Sequence, residues 1–226
     1  MQGTHALDFT FSLTGKVAAV LGVHNQESVA WAVARNLSQA GANVVVGYRK
    51  SCTSQIFSLL RETPTIRARS CNPSNPIELF DFFQQFEDTG LDILVHAADN
   101  SSTFFPSYFL KKVVQFAVSF LKPRATILAL LPGNEASQVT NADTESMVRH
   151  LAIQFQDSSI RINGMSTHIN QPKRAIQQIS RCALFLSSDA SQSLNGQIMR
   201  HHAHEWPIDF LPYSISHYKN QTKTVS

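Results

Sequence analysis

Short apolar runs alternate along the chain with segments whose apolar residues recur at helical spacing. The apolar runs predict strands buried on both faces, and the helical recurrence predicts amphipathic helices. The predicted strands are 17–22, 43–48, 65–70, 91–97, 125–131, 159–165 and 197–200. The predicted helices are 28–37, 54–60, 77–86, 107–121, 141–156 and 174–185. This alternation favours right-handed β-α-β units and one parallel sheet with helices on both faces.

The length of 226 residues suits one globular domain. The sequence shows no internal repeat, and its last stretch, from Trp206 onward, is polar and contains proline. We therefore expect a single domain over residues 1–205, followed by a C-terminal tail over residues 206–226.

Composition and charge argue against several classes of function. The net charge is +3 and the basic residues form no stripe, so we expect no nucleic-acid partner. No apolar run reaches 18 residues, which predicts no membrane span. The N-terminus lacks a signal-peptide pattern, and the three cysteines show no CxxC spacing. These features predict a cytoplasmic or other reducing intracellular location.

Five segments in a fixed order carry a family resemblance. Gly22 is followed after five residues by Ser28-Val29-Ala30, in place of the usual glycine fingerprint of dinucleotide-binding folds. The other segments are Gly15-Lys16-Val17, 91–96 (LDILVH), 142–152 (ADTESMVRHLA) and the pair 161–163 and 183–189. Together they resemble the short-chain dehydrogenase/reductase family, most closely its enoyl-acyl-carrier-protein reductase branch. The resemblance implies an α/β fold with a single doubly wound, Rossmann-type parallel sheet.

The resemblance also implies an NADP or NAD cofactor at the carboxyl ends of the strands, and we expect its binding to be weakened or lost through the departures described below. Gly22 would let the backbone approach the pyrophosphate, and Ser28 and Val29 open the helix whose N-terminus would face it. The alternative is that Gly22 only makes a tight turn and Ser28 only caps the helix.

Three further positions are implied as cofactor-binding. Arg49 follows the second strand, where an arginine can hold a 2′-phosphate and favour NADP over NAD. The alternative is that Arg49 and its neighbour Lys50 are solvated loop cations. Asn72 falls where the family has an aspartate that reads adenine, and it keeps a carbonyl acceptor without the charge. Ala97 ends the fourth strand beside the expected nucleotide.

The catalytic residues that the resemblance implies are absent. The family uses a tyrosine as proton donor and a lysine that lowers its pKa. The lysine position falls on Asn141, and residues 132–140 contain no tyrosine. Asp99 replaces a glycine, where its carboxylate would repel an anionic cofactor. The turn at 167–170 leads almost directly into the next helix, so we expect the substrate lid to be missing.

Other combinations of reactive side chains in the sequence are weaker evidence for a functional site. His202 and His204 share one face if extended, but no third metal ligand is evident, so we predict no metal site. Ser137 and His150 lack the GxSxG pattern of hydrolases. Tyr108 is a conceivable substitute proton donor, although a tyrosine at the start of a helix more often packs. We therefore assign no catalytic residue.

Two groups of apolar residues can be interpreted in two ways: as part of the core, or as a surface that contacts a ligand or a partner. The first is a set of phenylalanines, which suits either core packing or an acyl-binding groove. It comprises Phe80, Phe82, Phe83, Phe86, Phe104 and Phe105. The second is the apolar face of the 107–121 helix, with Val113, Val114, Ala117 and Phe120. The family resemblance places this helix and the 141–156 helix at a dimer interface, which favours a homo-oligomer.

The sequence therefore predicts a diverged, shortened, non-catalytic relative of enoyl reductases that acts by binding a partner. The partner would be another copy, a related reductase subunit, or an acyl or acyl-carrier ligand. Two alternatives stay open: an NAD(P)H-dependent reductase of an enoyl or carbonyl substrate with a non-standard proton donor, and a non-redox isomerase or cyclase that reuses the emptied pocket.

Overall fold

A computed structural model describes residues 11–97, 106–133, 138–168 and 173–200. The strands are β1 (Val17–Leu21), β2 (Asn43–Tyr48), β3 (Arg67–Ser70), β4 (Leu91–Ala97), β5 (Leu121–Gly133), β6 (Arg161–His168) and β7 (Ile198–Arg200). The helices are α1 (Val29–Gln39), α2 (Thr53–Glu62), α3 (Pro76–Gln84), α4 (Pro106–Ala117), α5 (Gln138–Gln154) and α6 (Lys173–Ser187). Every predicted strand and helix is present, most of them within three residues of the predicted bounds.

The strands form one sheet in the order β3-β2-β1-β4-β5-β6-β7, with every neighbouring pair parallel. The chain builds outward from β1 in one direction through β2 and β3, then crosses back to β4. The strand order therefore reverses between β1 and β4. This confirms the predicted doubly wound sheet. Sheets of this kind bind ligands at the carboxyl ends beside the reversal, which makes that edge the candidate binding edge here.

Helices cover the sheet in two layers. One core layer contains Trp31 of α1, Ile56 of α2 and Ile179 of α6. The other contains Phe82 of α3 and Val148 of α5. All five residues of β1 are buried, as expected for a central strand with a helix layer on each side.

The boundary between α4 and β5 differs from the prediction. The helix was expected to reach residue 121, but it ends at Ala117 and a short 3-10 turn, Val118–Phe120, follows. Leu121 already pairs with Leu91, and the register then shifts before regular pairing resumes. Arg124, at φ 66°, lies inside this bulge. Strand β5 thus begins before its apolar run, because the polar residues that precede the run form a bulge within the strand.

The structure resolves the ambiguity of the two apolar groups in favour of core. Three phenylalanines of α3 and the turn after it are fully buried and contact one another edge-on or tilted: Phe82, Phe83 and Phe86. Phe80 is half-exposed, and Phe104 and Phe105 lie outside the described residues. The α4 residues Val113, Val114 and Ala117 are completely buried in the same layer, with Phe120 packed against it.

Candidate functional site

A cleft opens at the carboxyl edge of the sheet, at the reversal between β1 and β4. It encloses about 550 Å³, part of which is open to solvent. The ends of β1, β2 and β4, the turn after β3 and the first turn of α4 line it: Gly22, Val23, His24, Gly47, Tyr48, Arg49, Cys52, Cys71, Pro73, Ser74, His96, Ala97, Pro106 and Phe109.

Gly22 is where β1 turns into the cleft. Its φ is +92°, and a Cβ there would lie 2.5 Å from the carbonyl oxygen of Ala97. Its N–H donates to the carbonyl oxygen of Gly47 over 3.1 Å. The close passage of the β1 and β4 ends therefore requires a glycine at this position, independently of any ligand.

Ser28 caps α1. Its hydroxyl accepts a hydrogen bond from the Trp31 N–H over 3.2 Å and donates to the carbonyl oxygen of Asn25 over 2.8 Å. The side chain is buried, and neither Ser28 nor Val29 lines the cleft. The capping interpretation of Ser28 is confirmed, and the predicted phosphate contact stays a prediction.

The two cations after β2 have different surroundings. Arg49 lines the cleft, as expected for a residue that would hold a phosphate. Lys50 instead lies 3.3 Å from Glu78 of α3, with most of its side chain exposed. Because it is the one of these two cations that lines the cleft, Arg49 is the candidate anion-binding residue.

Asn72 builds the turn after β3. Its Oδ1 accepts from the Ser74 N–H over 3.1 Å, and its own N–H donates to Glu78 over 3.1 Å. Its neighbours Cys71 and Pro73 line the cleft, whereas Asn72 itself does not. Burial, then the nearby charge of Glu78, raises the pKa of Cys71 to about 12. The Cys71 thiol is therefore neutral and a poor nucleophile at physiological pH.

His96 is a cleft residue that sequence reasoning did not single out. It is the penultimate residue of β4 and only 4% exposed. Neither ring nitrogen has a hydrogen-bond partner within the described part of the chain. Burial lowers its pKa to about 4, so the imidazole is neutral at pH 7. The available signal was a titratable residue near the end of a predominantly apolar, buried strand.

Helix α5 contains no tyrosine and no lysine. Asn141, the position that corresponds to the family's lysine, lies in its second turn. Glu145, one turn later, is buried and paired with Arg200 of β7 over 2.6 and 2.8 Å. Arg149 adds a third charge 3.5 Å from the same carboxylate. Glu145, Arg149 and Arg200 thus form an ion cluster that connects α5 to β7.

The remaining candidates are outside the cleft or outside the described residues. Tyr108 is 57% exposed on α4 and does not line the cleft, and His150 is exposed on α5. Asp99, Ser137 and residues 201–226 lie outside the described residues. In the described ranges, no group of three histidine, cysteine or acidic residues is arranged to hold a metal. No helix there is long and apolar enough to cross a membrane.

Several known proteins are similar to this chain in sequence. A family model described as enoyl-(acyl carrier protein) reductase matches residues 22–108. The enoyl-(acyl-carrier-protein) reductase (NADH) FabI of Nostoc sp. is 24% identical over 83% of this chain and 95% of its own. The corresponding protein of Synechocystis sp. is 26% identical over the same shares of the two chains.

Solved structures show the same fold. FabI from Alistipes finegoldii superposes with a TM-score of 0.72 at 18% identity, over 86% of this chain and 91% of its own. The reductase from Anaplasma phagocytophilum, solved in complex with NAD, gives a TM-score of 0.72 at 20% identity, over 83% and 90%. The chain is thus similar in sequence to enoyl-acyl-carrier-protein reductases, and the solved structures show that it shares their fold.

Proposed function

We propose that this protein binds a nucleotide in the cleft, does not reduce a substrate, and acts by binding a partner. The observation that carries the non-catalytic part is the composition of α5, which lacks both tyrosine and lysine. The family-model match, residues 22–108, covers β2, β3 and β4 and stops before this helix.

The chemical reason is the missing proton transfer. Hydride addition to an enoyl or carbonyl group leaves a negative charge that a proton donor must neutralise. In the family a tyrosine supplies that proton, with its pKa lowered by a lysine. Asn141 is short and neutral, so it cannot depress the pKa of a phenol. Of the tyrosines in the described ranges, Tyr48 lines the cleft at the end of β2, next to Arg49, and Tyr108 lies on the exposed side of α4.

Nucleotide binding is supported by the cleft. It lies at the strand-order reversal, where doubly wound sheets bind dinucleotides. Arg49 supplies a guanidinium at the end of β2, suited to a 2′-phosphate on the ribose. We propose NADP or a related 2′-phosphorylated nucleotide as the preferred ligand, with NAD the weaker one.

Binding and turnover can be measured on the same sample. Titration with NADPH, followed by nicotinamide fluorescence, should saturate, while NADPH with crotonyl-CoA should show no substrate-dependent oxidation. Arg49→Ala should weaken NADPH binding at least tenfold and change NADH binding less than about twofold, because it removes a charge-assisted contact. Arg67→Ala, an exposed arginine of β3 outside the cleft, is the matched control.

The outcomes separate the two parts of the proposal. No binding at millimolar NADPH and NADH would overturn the nucleotide site. Sustained oxidation of NADPH with the enoyl thioester would overturn the non-catalytic role. That second result would establish the alternative that the intact cleft favours, a reductase with a different proton donor. No described residue favours the isomerase or cyclase alternative over these two.

Partner binding is tested separately. We propose another copy of the chain, a related reductase subunit or an acyl carrier protein as the partner. Sedimentation of the purified protein alone, with an enoyl reductase and with an acylated carrier protein should show a complex in at least one mixture. The absence of every complex, self-association included, would contradict the partner role.

A further inference from the structure

The buried imidazole of His96 is a polar group that the fold does not explain. Its side chain is 4% exposed, and neither ring nitrogen, each almost completely shielded from solvent, finds a partner among the described residues, so a ligand reaches them only after the ring turns toward the cleft. A buried polar group without a partner costs free energy, so an unpaired side chain at a cleft wall calls for an explanation beyond packing. An apolar side chain would fill the same place in β4 without that cost.

The surroundings of His96 within the cleft suit a flat ring. Cys71, Pro73, Pro106 and Phe109 line the same cleft, together with the backbone of Gly47. Cys71 and Pro106 are buried, and Phe109 is partly so. An aromatic heterocycle gains dispersion and apolar burial against such groups. Its polar edge, however, must meet a hydrogen-bonding partner within the cleft.

We infer that His96 is a base-recognising residue, whose imidazole hydrogen-bonds to the polar edge of the nucleotide base. A neutral imidazole presents one donor and one acceptor, and either can serve, depending on the tautomer. Adenine presents an exocyclic amine next to ring nitrogens that accept, so it can use either one. This inference rests on the proposed function, since it requires a nucleotide in the cleft.

The position of Arg49 is consistent with this orientation. The strands β2 and β4 are the two neighbours of β1, so the backbones carrying Arg49 and His96 are about two strand spacings, or ~10 Å, apart. A nucleoside that carries a phosphate on its ribose reaches across such a separation. The base would then lie toward His96 and Phe109, and the phosphate toward Arg49.

Calorimetric titration with adenosine 2′,5′-bisphosphate tests the contact directly. His96→Leu should weaken binding about tenfold, and His96→Gln, which keeps a donor and an acceptor, should stay within about threefold of the wild type. The matched control is His150→Leu, the same change at an exposed histidine of α5 outside the cleft, which should have no effect. Thermal unfolding without ligand should show His96→Leu at least as stable as the wild type, because it removes an unpaired polar group.

A spectroscopic measurement on the wild type avoids reliance on variants. In protein labelled with ¹⁵N-histidine, adenosine 2′,5′-bisphosphate should shift an imidazole nitrogen resonance that His96→Leu abolishes. Ribose 5-phosphate, which has no base, should not shift it. Equal affinities of the wild type and His96→Leu, or an unmoved resonance at saturation, would overturn the inference while leaving the nucleotide site intact. If the wild type binds neither the bisphosphate nor NADPH, the proposed nucleotide site fails and the His96 contact fails with it.

Discussion

Gly22 occupies a position where backbone conformation and available space both exclude a side chain. Its φ of +92° lies in the left-handed region, and a Cβ would meet the Ala97 carbonyl oxygen at 2.5 Å. The sequence predicted a special role for this glycine from its place after an apolar strand. It did not reveal that the neighbouring strand end imposes the requirement, because that contact depends on how β1 and β4 pair.

Gly22→Ala should therefore destabilise the protein even without a ligand. We expect a loss of about 3 kcal/mol in the free energy of unfolding, from left-handed backbone strain and a steric contact. Gly15→Ala is the control, since Gly15 has φ +80° with no atom within 4 Å of the added Cβ. It should cost only about 1 kcal/mol, for the backbone strain alone. Urea denaturation measures both, and equal losses would contradict the steric argument.

His96 should make the stability of the fold depend on pH in a defined window. Burial lowers its folded-state pKa from 6.5 to about 4, so the unfolded chain binds the proton more tightly. The free energy of unfolding is therefore unaffected by this histidine's titration above pH 6.5, and it falls as the pH drops toward 4, because the unfolded chain takes up the proton first. By linkage, the loss is up to about 3 kcal/mol across that window.

The measurement is urea denaturation of the wild type and of His96→Leu between pH 7 and pH 4. Other groups also titrate in this range, so the quantity of interest is the difference between the two proteins. The wild type should lose stability faster with acidification than His96→Leu, and His150→Leu should follow the wild type. Parallel curves for all three proteins would show that His96 is already charged or solvated in the folded state.

At the scale of elements, strands were easier to predict than the features that join them. The buried parallel strands β1 and β2 are short apolar runs in the sequence, and their bounds were predicted to within one residue. The end of α4 was predicted four residues too late, because the 118–124 segment combines helical spacing with a bulge at the start of β5, around Arg124. The Glu145–Arg200 pair was also missed, because its members lie 55 positions apart and meet only through the packing of α5 on β7.

Breaking that pair should destabilise the attachment of α5 to the sheet. Arg200→Met leaves the buried Glu145 carboxylate with less compensating charge, and we expect a loss of about 2–3 kcal/mol. The double variant Glu145→Leu/Arg200→Met should recover much of the loss, because no unpaired charge is left buried. The exposed pair of Lys50 and Glu78 is the comparison, and Lys50→Ala should cost less than about 1 kcal/mol. Thermal unfolding of the wild type and the three variants tests this ranking. A smaller loss of stability in Arg200→Met than in Lys50→Ala would contradict it.

At the scale of the whole molecule, the fold and the chemistry differ in how far the sequence determines them. The alternation of strands and helices is spread over the chain, so several weak signals support the same sheet. The candidate site depends on few residues, and their partners come from distant strands. The cleft therefore includes three predicted residues, Gly22 just after β1, Arg49 just after β2 and Ala97 at the end of β4. It also includes His96, which the sequence did not distinguish from strand core.

Self-association is the prediction that involves the molecule as a whole. The inner face of α4 is buried in the core, so a partner contact at this helix must use its outer surface, beside that of α5. Those surfaces expose apolar side chains, with Tyr108 57% and Ile153 67% exposed. Burying such groups between two copies would remove apolar area from water. We therefore expect a homodimer that uses these two helices.

Ile153→Glu should shift the molecular mass measured by light scattering toward the monomer, because it places a charge in the proposed contact. The matched control is Ile77→Glu, which makes the same change at an isoleucine of α3 that is 69% exposed. It should leave the mass unchanged, since α3 lies outside the proposed contact. Both variants should unfold at the wild-type temperature once the contribution of association is removed by dilution. Equal effects of the two substitutions, or a wild type that is monomeric at every concentration, would exclude this interface and leave a different protein as the partner to be sought.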